Sequence, residues 1–347
     1  MVSRDSKLLF ELIRSFLTVY LPKQKASSPN TVKAYRDSLN LLFEYMKKEH
    51  NIPLNEMSFD RISRTSIESY LDWIESKRNC SVSTRNHRLS CIRAFYKYAG
   101  SMDMTVTAYA LELEKIPLKK VAKSQPVKYF SEEALTAILE QPDTSTLKGT
   151  RDLFYMILMY DSGARNQEVL DLRGSDIHVS LQNPHVVIRG KGNKTRLVPL
   201  MNKTVEHYTN YIRLFHNGVV TDDLLFYVVQ KGEKQAMSSD NVAKFMKKYG
   251  KEAMKKCSNV PEGLHPHMFR HSRSIHLYRG GMPLALLSEW LGHAQIETTM
   301  IYAYADTKMK RDAIEKATNH LNPLSKSESG PSWKDDEALI KRLYGLV

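Results

Sequence analysis

The chain is poor in cysteine and has no long hydrophobic run. Its three cysteines, Cys80, Cys91 and Cys257, form no C-x-x-C pair, which is typical of reduced thiols in a cytosolic protein. The longest apolar run, Leu153 to Tyr160, is far too short to cross a bilayer. Residues Met1 to Asp5 lead directly into an amphipathic helical pattern, so no signal peptide and no membrane partner are expected.

Acidic residues are also scarce relative to basic ones. The 347 residues include 38 Asp and Glu against 51 Lys and Arg, which gives a net charge of +13. A surplus of this size favours a polyanionic partner, most simply nucleic acid. The composition, 42% hydrophobic and 26% charged, is otherwise ordinary for a soluble globular protein, so charge alone fits an unrelated basic protein equally well. The length is enough for two domains.

Helical periodicity runs through the first domain, residues 1–116. The second helix opens at Ser28 and Pro29, a polar start with an early proline. A fourth helix, starting near Ser81, carries Arg85 and Arg88 on a polar face. That face fits DNA phosphate contacts or a merely solvated surface. No strand-like alternation appears, so we predict a helical bundle.

A basic linker is predicted at residues 117–129, because this stretch is punctuated by proline and lacks apolar periodicity. Its lysines are candidates for DNA contact: Lys119, Lys120 and Lys123. Such a segment either lets two domains close around a duplex or serves as a plain flexible tether.

The second domain, residues 130–321, contains the β signals of the chain. His185 to Ile188 and Arg196 to Leu200 flank a glycine-rich turn, which predicts a hairpin, and helices are predicted for the remainder. The expected fold class is therefore mostly α with a small β-hairpin or sheet (α+β). In the tail, residues 322–347, a polar spacer precedes a short amphipathic helix from Asp335 to Leu343. Because this helix cannot bury its apolar face alone, we expect it to dock on its own domain or on a neighbouring subunit.

One set of residues in the second domain suits attack on a phosphodiester by a phenol without a metal. Positive groups neutralise charge on the phosphate oxygens, and a tyrosine can serve as covalent nucleophile. In chain order the set is Arg165, Lys191, His267, Arg270, His293 and Tyr302. Histidines 265, 267, 271 and 276 cluster, but no carboxylate or cysteine completes a recognisable ligand pattern. No metal and no cofactor are therefore expected, and His265 and His271 are interpreted as structural.

The segments that carry these residues resemble the tyrosine recombinase (phage integrase) family, which includes the Xer and Cre recombinases. The resemblance covers roughly residues 150–305. Its segments are Ser162-Gly163-Ala164-Arg165-Asn166-Gln167-Glu168, Gly190-Lys191-Gly192-Asn193-Lys194-Thr195-Arg196, His267-Met268-Phe269-Arg270-His271, and Leu291-Gly292-His293 followed by Tyr302. The N-terminal bundle looks like the core-binding domain of the family.

The resemblance implies a role for each residue. Arg165 and Arg270 would bind the non-bridging oxygens of the scissile phosphate, since a guanidinium gives bidentate bonds and stays charged. Lys191 would protonate the departing 5′ oxygen. His267 would assist proton transfer at the tyrosine and would bond the phosphate. His293 would stabilise the transition state, and Tyr302 would form the 3′-phosphotyrosyl bond.

Supporting and competing residues are also implied. Glu168 would hold Arg165 or a histidine in place, although Arg165 and Glu168 also fit a surface i, i+3 pair. Lys194 and Arg196 are candidates for DNA contact and competitors of Lys191. Two further ambiguities remain, since Tyr304 competes with Tyr302, and Arg273 fits either a phosphate contact or an acidic partner.

By the same resemblance, the partner is double-stranded DNA with inverted half-sites, on which the protein forms a dimer and then a tetrameric synapse. Strand exchange would pass through a Holliday junction in the cytoplasm, without ATP or a divalent cation. Integration, excision or transposition of a mobile element is the preferred role, with Xer-type chromosome dimer resolution as the alternative. A type IB topoisomerase and a DNA-binding protein without catalysis are the rival classes.

Overall fold

The computed structural model divides the chain into two compact units, Met1–Ser124 and Gln125–Val347. The described residues are 4–121, 127–179, 182–190, 194–293, 295–303, 311 and 337–345. Lys123, Lys191, Tyr304 and the polar spacer of the tail lie outside them, and the roles given to them stay predictions. Among the described helices, none combines the length and apolar character needed to span a membrane.

The regular elements that the structure describes in the first unit are all helices. Its elements are α1 (Arg4–Ser15), a π-helical segment (Phe16–Gln24), α2 (Pro29–Glu49), a 3-10 turn (Leu54–Glu56), α3 (Arg64–Ser76), α4 (Val82–Met102), a 3-10 turn (Met104–Val106) and α5 (Thr107–Glu114). Ser28, Ser63 and Ser81 each accept a hydrogen bond from the backbone N–H three residues later. These caps satisfy donors that a first helical turn leaves without a partner.

Aromatic side chains form much of the core of the first unit. The ring of Phe16 lies between 5.2 and 5.7 Å, centroid to centroid, from the rings of Tyr20, Tyr35, Phe95 and Tyr98. Burying one such ring stabilises the fold by roughly 2 kcal/mol. The contacts join the π-helical segment to α2 and α4.

Arg85 does not lie where the DNA-binding prediction placed it. The side chain is buried, and its Nη1 donates to the carbonyl oxygen of Pro117 at 2.9 Å and to Asn86 Oδ1 at 3.2 Å. Arg88 on the same helix is half-buried and donates to Ser38 Oγ at 3.0 Å. The sequence predicted a polar face for DNA, but the structure uses Arg85 to hold the chain that follows α5. A phosphate contact by Arg85 is therefore not supported.

The start of the predicted linker is fixed to the first unit. Asn86 Nδ2 donates to the carbonyl oxygen of Lys119 at 2.8 Å, and the backbone N–H of Lys119 donates back to Asn86 Oδ1 at 3.1 Å. Lys119 Nζ lies 2.5 Å from Glu75 Oε2, whereas Lys120 is exposed. A flexible tether does not fit residues 117–119, because their backbone bonds an ordered helix.

The second unit combines helices with two small antiparallel sheets. Its helices are α6 (Glu132–Leu139), α7 (Leu147–Ser162), α8 (Asn166–Leu170), α9 (Asn202–Phe215), α10 (Ser239–Lys256), α11 (Pro266–Arg279), α12 (Leu284–Leu291), α13 (Met300–Ala303) and α14 (Glu337–Leu343), with 3-10 turns at Gly174–Asp176 and Ile296–Thr298. The mostly α fold with a small β component is confirmed. The docking of α14 stays a prediction.

The sequence predicted one of the two sheets and missed the other. Strand β2 (His185–Arg189) pairs with β3 (Thr195–Pro199), as expected, and with the short β1 (Ile177–His178). The second sheet, β4 (Tyr227–Gln230) with β5 (Glu233–Ala236), lies where helices were predicted, so that prediction is wrong. Every residue of β5 is exposed. Such a strand lacks the apolar alternation from which a half-buried strand is recognised.

Helix α7 is the central element of this unit and ends at a glycine that nothing larger can replace. It packs against α9 and α11 and buries Phe154, Tyr155 and Leu158. Gly163 follows it with φ +56°, and a Cβ there would lie 2.4 Å from the indole of Trp290. The left-handed turn and the ring above it both require glycine.

Replacing Gly163 with alanine is expected to destabilise the second unit by about 3 kcal/mol, since the left-handed conformation and the overpacking against Trp290 both carry a cost. Gly218→Ala is the matched control: its φ is +76°, but nothing lies within 4 Å of the added Cβ. There we expect a loss of about 1 kcal/mol. Urea denaturation followed by circular dichroism, fitted with one transition for each unit, measures both losses. Equal losses in the two variants would contradict the packing argument.

Candidate active site

Arg165 and Glu168 are brought together by the turn that ends α7. After Gly163 the chain enters α8, with Arg165 at its N-cap and Glu168 at its third residue. Glu168 Oε2 accepts the backbone N–H of Arg165 at 2.8 Å, and Oε1 accepts Arg165 Nη1 at 2.8 Å. The pair is not a surface contact, because the Glu168 side chain is buried. The guanidinium of Arg165 remains partly exposed while its direction is fixed.

Arg196, on β3, shares the same carboxylate. Its Nη2 lies 2.8 Å from Glu168 Oε2 and its Nη1 lies 3.2 Å from Oε1. Burial alone raises the pKa of Glu168, but the hydrogen bonds from Arg196 and Arg165 lower it to about 2. The side chain of Arg196 is only 12% exposed. Arg196 therefore supports Glu168 from within the fold, and its DNA contact stays a prediction.

Arg270 is a buried cation held by the ends of two helices. The residue is 4% exposed. Its Nη1 donates to the carbonyl oxygen of Gly163 at 2.6 Å, and its Nη2 donates to that of Leu291 at 2.8 Å. Helix C-termini carry partial negative charge, so they stabilise the guanidinium without neutralising it. Burial and the nearby charges of Arg165 and Arg196 lower the pKa of Arg270 to about 10.

His293 lies at the same point, just after the left-handed Gly292 that ends α12. Its Nε2 is 3.0 Å from Arg270 Nη2, and its Nδ1 is 2.7 Å from Thr299 Oγ1. Because the arginine only donates, Nε2 accepts and Nδ1 carries the hydrogen. Burial and the charges of Arg270 and Arg165 lower the pKa of His293 to about 4. The ring is therefore neutral near pH 7.

An open cleft of about 860 Å³ lies beside these groups. Its lining includes Arg165, Gly190, Lys194, Arg196 and His293. The N–H of Gly190 donates to the carbonyl oxygen of Lys194 at 2.8 Å, which holds these two residues close together. Lys194 is exposed, and its DNA contact stays a prediction.

Tyr302 is buried beside the cleft rather than presented to it. The residue is 2% exposed and packs with Ile275, Leu287 and Leu291. Its hydroxyl lies 2.9 Å from His271 Nδ1. Burial raises the pKa of the phenol, against the opposing effects of the Ser274 hydroxyl and the positive charges of Arg270 and Arg165.

His271 is the functional candidate that the sequence did not identify. It was interpreted as structural, but the structure places it against the phenol. His267, to which proton transfer was assigned, is exposed, and its ring centroid lies 6.4 Å from that of His271. Neighbouring atoms keep water from part of the ring, and this partial desolvation, together with the charges of Arg270 and Arg165, lowers the pKa of His267. The available signal was the helical spacing of positions 267 and 271, which places both rings on one face of α11.

Arg273 has an acidic partner rather than an exposed position. Its Nη2 lies 3.0 Å from Asp161 Oδ1, and its guanidinium stacks 5.1 Å from the ring centroid of Tyr160. Asp161 Oδ2 also accepts the N–H of Met201 and the hydroxyl of Thr204. Of the two interpretations offered for Arg273, the structure favours the acidic partner.

The assembled site therefore contains two arginines that can neutralise an anion, a neutral imidazole beside one of them, and a phenol in contact with a second imidazole. Glu168 is the one carboxylate in direct contact with these arginines among the described residues. Such a site favours a phosphate in the cleft and suits nucleophilic attack by a tyrosine.

Family models match both units. The phage integrase family matches residues 128–309, and the phage integrase N-terminal SAM-like domain matches residues 13–101. A putative integrase/recombinase, y4rC, from Sinorhizobium fredii is 28% identical over 97% of this chain and 98% of its own length. Tyrosine recombinase XerD from Staphylococcus epidermidis is 29% identical over 90% of this chain and 98% of its own length.

Solved structures share the fold at low identity. XerH recombinase in a post-cleavage complex with palindromic difH substrate has a TM-score of 0.64 and 22% identity, covering 90% of this chain and 89% of its own. The Tn1549 transposon integrase in complex with circular intermediate DNA has a TM-score of 0.63 and 16% identity, covering 89% of this chain and 98% of its own.

Glu168→Gln is expected to destabilise the second unit in a pH-dependent way. The folded-state pKa of Glu168, about 2, lies below the ordinary value, so the carboxylate contributes stability that is complete above about pH 5. That contribution disappears as the pH falls toward about 2. Urea denaturation should show a difference between wild type and variant of about 3 kcal/mol near neutral pH, and a smaller one at low pH.

Glu252→Gln provides the control for this measurement. Glu252 pairs with Lys255 at 2.7 Å on an exposed face of α10, where a salt bridge contributes little. We expect no comparable pH-dependent loss. If the two variants follow the same pH dependence, the buried contacts of Glu168 are not the cause.

Proposed function

This chain belongs to the phage integrase family of tyrosine-type, site-specific DNA recombinases, and from that premise we propose that it cleaves and rejoins DNA through a 3′-phosphotyrosine at Tyr302. The observation that carries the proposal is the joint placement of Arg165, Arg270 and His293 beside an open cleft, with the phenol of Tyr302 nearby. A net charge of +13 provides the attraction for DNA. Binding should weaken steeply with salt, because many phosphates are neutralised.

In the proposed reaction each group acts on one part of the phosphodiester. Arg165 and Arg270 bind the non-bridging oxygens, and His293 stabilises the charge that develops on them. Lys191 protonates the departing 5′ oxygen. The position of Gly190 and Lys194 supports this role, because both residues line the cleft and a hydrogen bond joins them. Since Tyr302 is only 2% exposed, DNA binding must open a path from the cleft to the phenol before the phenol can attack.

Recombination requires several active sites on one DNA assembly. We propose that two protomers bind inverted half-sites and that two such dimers synapse. The first strand exchange forms a Holliday junction and the second resolves it. A solved relative, lambda integrase, is a dimer on a core site in its structure. We place the reaction in the cytoplasm, where it needs neither ATP nor a divalent cation.

The preferred biological role is integration, excision or transposition of a mobile element. Similarity to a putative integrase/recombinase over nearly the full length of both chains supports it, as does the shared fold with a transposon integrase. The second candidate is Xer-type chromosome dimer resolution. The similarity to XerD over 90% of this chain favours that alternative.

Covalent capture of DNA tests the proposed chemistry. Purified protein is mixed in EDTA with labelled fragments that span its gene and flanks, and denaturing gels report protease-sensitive adducts. We expect an adduct with wild type and Tyr304→Phe but none with Tyr302→Phe, because only the latter loses the nucleophile. Loss in Tyr304→Phe alone moves the nucleophile by two residues. Relaxation of any supercoiled plasmid without site preference supports a type IB topoisomerase instead.

The tail provides a second test, of assembly. We propose that α14 packs on a neighbouring protomer on DNA. Deleting the residues after Pro323 should leave binding to one half-site unchanged and should weaken cooperative assembly on a full site, because a contact between protomers is removed. Gel-shift titrations of the two DNAs measure both quantities. Unchanged cooperativity in the shortened protein would show that the tail makes no such contact.

A further inference from the structure

The proton of the Tyr302 hydroxyl needs an acceptor when the phenol attacks phosphorus. Two side chains contact that hydroxyl: the Ser274 hydroxyl, which already donates to the carbonyl oxygen of Arg270, and His271, whose Nδ1 lies at 2.9 Å. Of the two, the imidazole is the one that can take up a proton near neutral pH. The two ring centroids lie 5.8 Å apart, and the contact joins α11 to α13. We propose that His271 is the catalytic base that takes the Tyr302 proton, a role that the family resemblance assigned to His267. This inference rests on the proposed function.

A second histidine on α11, His276, makes a similar contact in which the donor and acceptor nitrogens of the ring can be assigned. His276 Nε2 lies 3.0 Å from the carbonyl oxygen of Phe130, so Nε2 carries the hydrogen. His276 Nδ1 therefore accepts from the hydroxyl of Tyr160, at 2.7 Å. His271 bonds Tyr302 through the same nitrogen. The same tautomer in His271 is part of the proposal: when Nδ1 accepts, its lone pair points at the proton that must leave.

The surroundings of His271 keep its ring neutral, so that Nδ1 can accept a proton. Burial, followed by the positive character of His267 and Arg270, lowers the pKa of His271 to about 4. The ring is therefore neutral near pH 7 and can accept a proton. Five titratable groups face the ring of His271. His267 and Arg270 lie on α11 itself, and His265 lies just before it. Tyr302 lies on α13, and His293 lies in the turn after α12.

DNA binding should make His271 a better base. A phosphate held by Arg165 and Arg270 neutralises positive charge that lowers the pKa of His271 in the free protein. That pKa should then rise toward neutral pH, where a general base is most effective. Proton transfer from a phenol to a neutral imidazole is costly by itself. It becomes feasible as the phenolic oxygen bonds phosphorus, because a bonded oxygen holds its proton more weakly.

The O–H bond of Tyr302 breaks and its proton passes to His271 Nδ1, while the phenolic oxygen forms a bond to phosphorus. The bond between phosphorus and the 5′ oxygen breaks, and that oxygen takes a proton from Lys191. In the reverse step the 5′-hydroxyl attacks the phosphotyrosine and returns its proton to the neutral amine of Lys191. The imidazolium of His271 then returns its proton to the phenolic oxygen.

Single-turnover cleavage separates a base from a positioning residue. The substrate is a synthetic duplex of the sequence captured by the wild-type adduct, with a nick beside the cleaved bond so that the 5′ fragment diffuses away. His271→Asn keeps a hydrogen-bond acceptor but cannot take a proton. We expect roughly 10²- to 10⁴-fold slower adduct formation. We also expect loss of the wild-type decline in rate at low pH, with DNA binding unchanged by gel shift.

His276→Asn is the matched control, since it alters the other histidine–tyrosine contact on the same helix. Its rate and pH profile should follow wild type. In His271→Ala, added imidazole should restore part of the rate, in proportion to its unprotonated fraction. A structural role for His271 gives no such dependence.

The outcomes distinguish a failure of the proposed function from a failure of the role proposed for His271. If wild type forms no Tyr302 adduct on any fragment, the proposed function fails and this inference fails with it. If wild type forms the adduct and His271→Asn cleaves with the wild-type rate and pH profile, the proposed function stands and His271 is not the base. A slow His271→Asn that keeps the wild-type pH profile, with no imidazole rescue in His271→Ala, also overturns the inference.

Discussion

The buried guanidinium of Arg270 is the constraint on which the rest of the site depends. A buried charge is tolerated only when it is paired or hydrogen-bonded. Among the described residues Arg270 has no ion pair; backbone carbonyls at the ends of α7 and α12 accept its hydrogen bonds. Both helices must therefore end at the same point, and each does so at a left-handed glycine, Gly163 or Gly292. Because dipoles rather than a carboxylate hold it, Arg270 keeps its charge for an anion.

Arg165, unlike Arg270, is held by an ion pair. Its partner is a full carboxylate, Glu168, but that carboxylate also binds Arg196. One negative charge is thus divided between two guanidiniums, and the cleft keeps a positive surplus. Arg196 also packs under Gly292, where an added Cβ would lie 3.3 Å from its Cδ. Arg196 thereby connects the β2–β3 hairpin to Arg165, through Glu168, and to the turn that carries His293.

Local patterns predicted the helices, the β2–β3 hairpin and the order of the site residues, because each depends on neighbours within a few positions. Side chains with distant partners were not predictable in the same way. Arg85 bonds a carbonyl 32 residues later, and Arg196 bonds Glu168 across 28 residues. Both appear in the sequence as basic residues in basic segments, which suggests DNA. The β4–β5 hairpin escaped prediction because its polar second strand has no buried face.

The two histidine–tyrosine contacts of α11 differ in what surrounds them. His276 is fixed by a backbone carbonyl on its far nitrogen, and Asp161 lies close enough to Tyr160 and Arg273 to offset positive charge. His271 faces Arg270 and two further histidines, so positive charge lowers its pKa. In the proposed complex a phosphate in the cleft neutralises charge near His271, whereas near His276 the carboxylate of Glu132 already opposes the charges of Arg279 and Arg273. In the proposal for His271, the same geometry is structural at one end of the helix and responsive to substrate at the other.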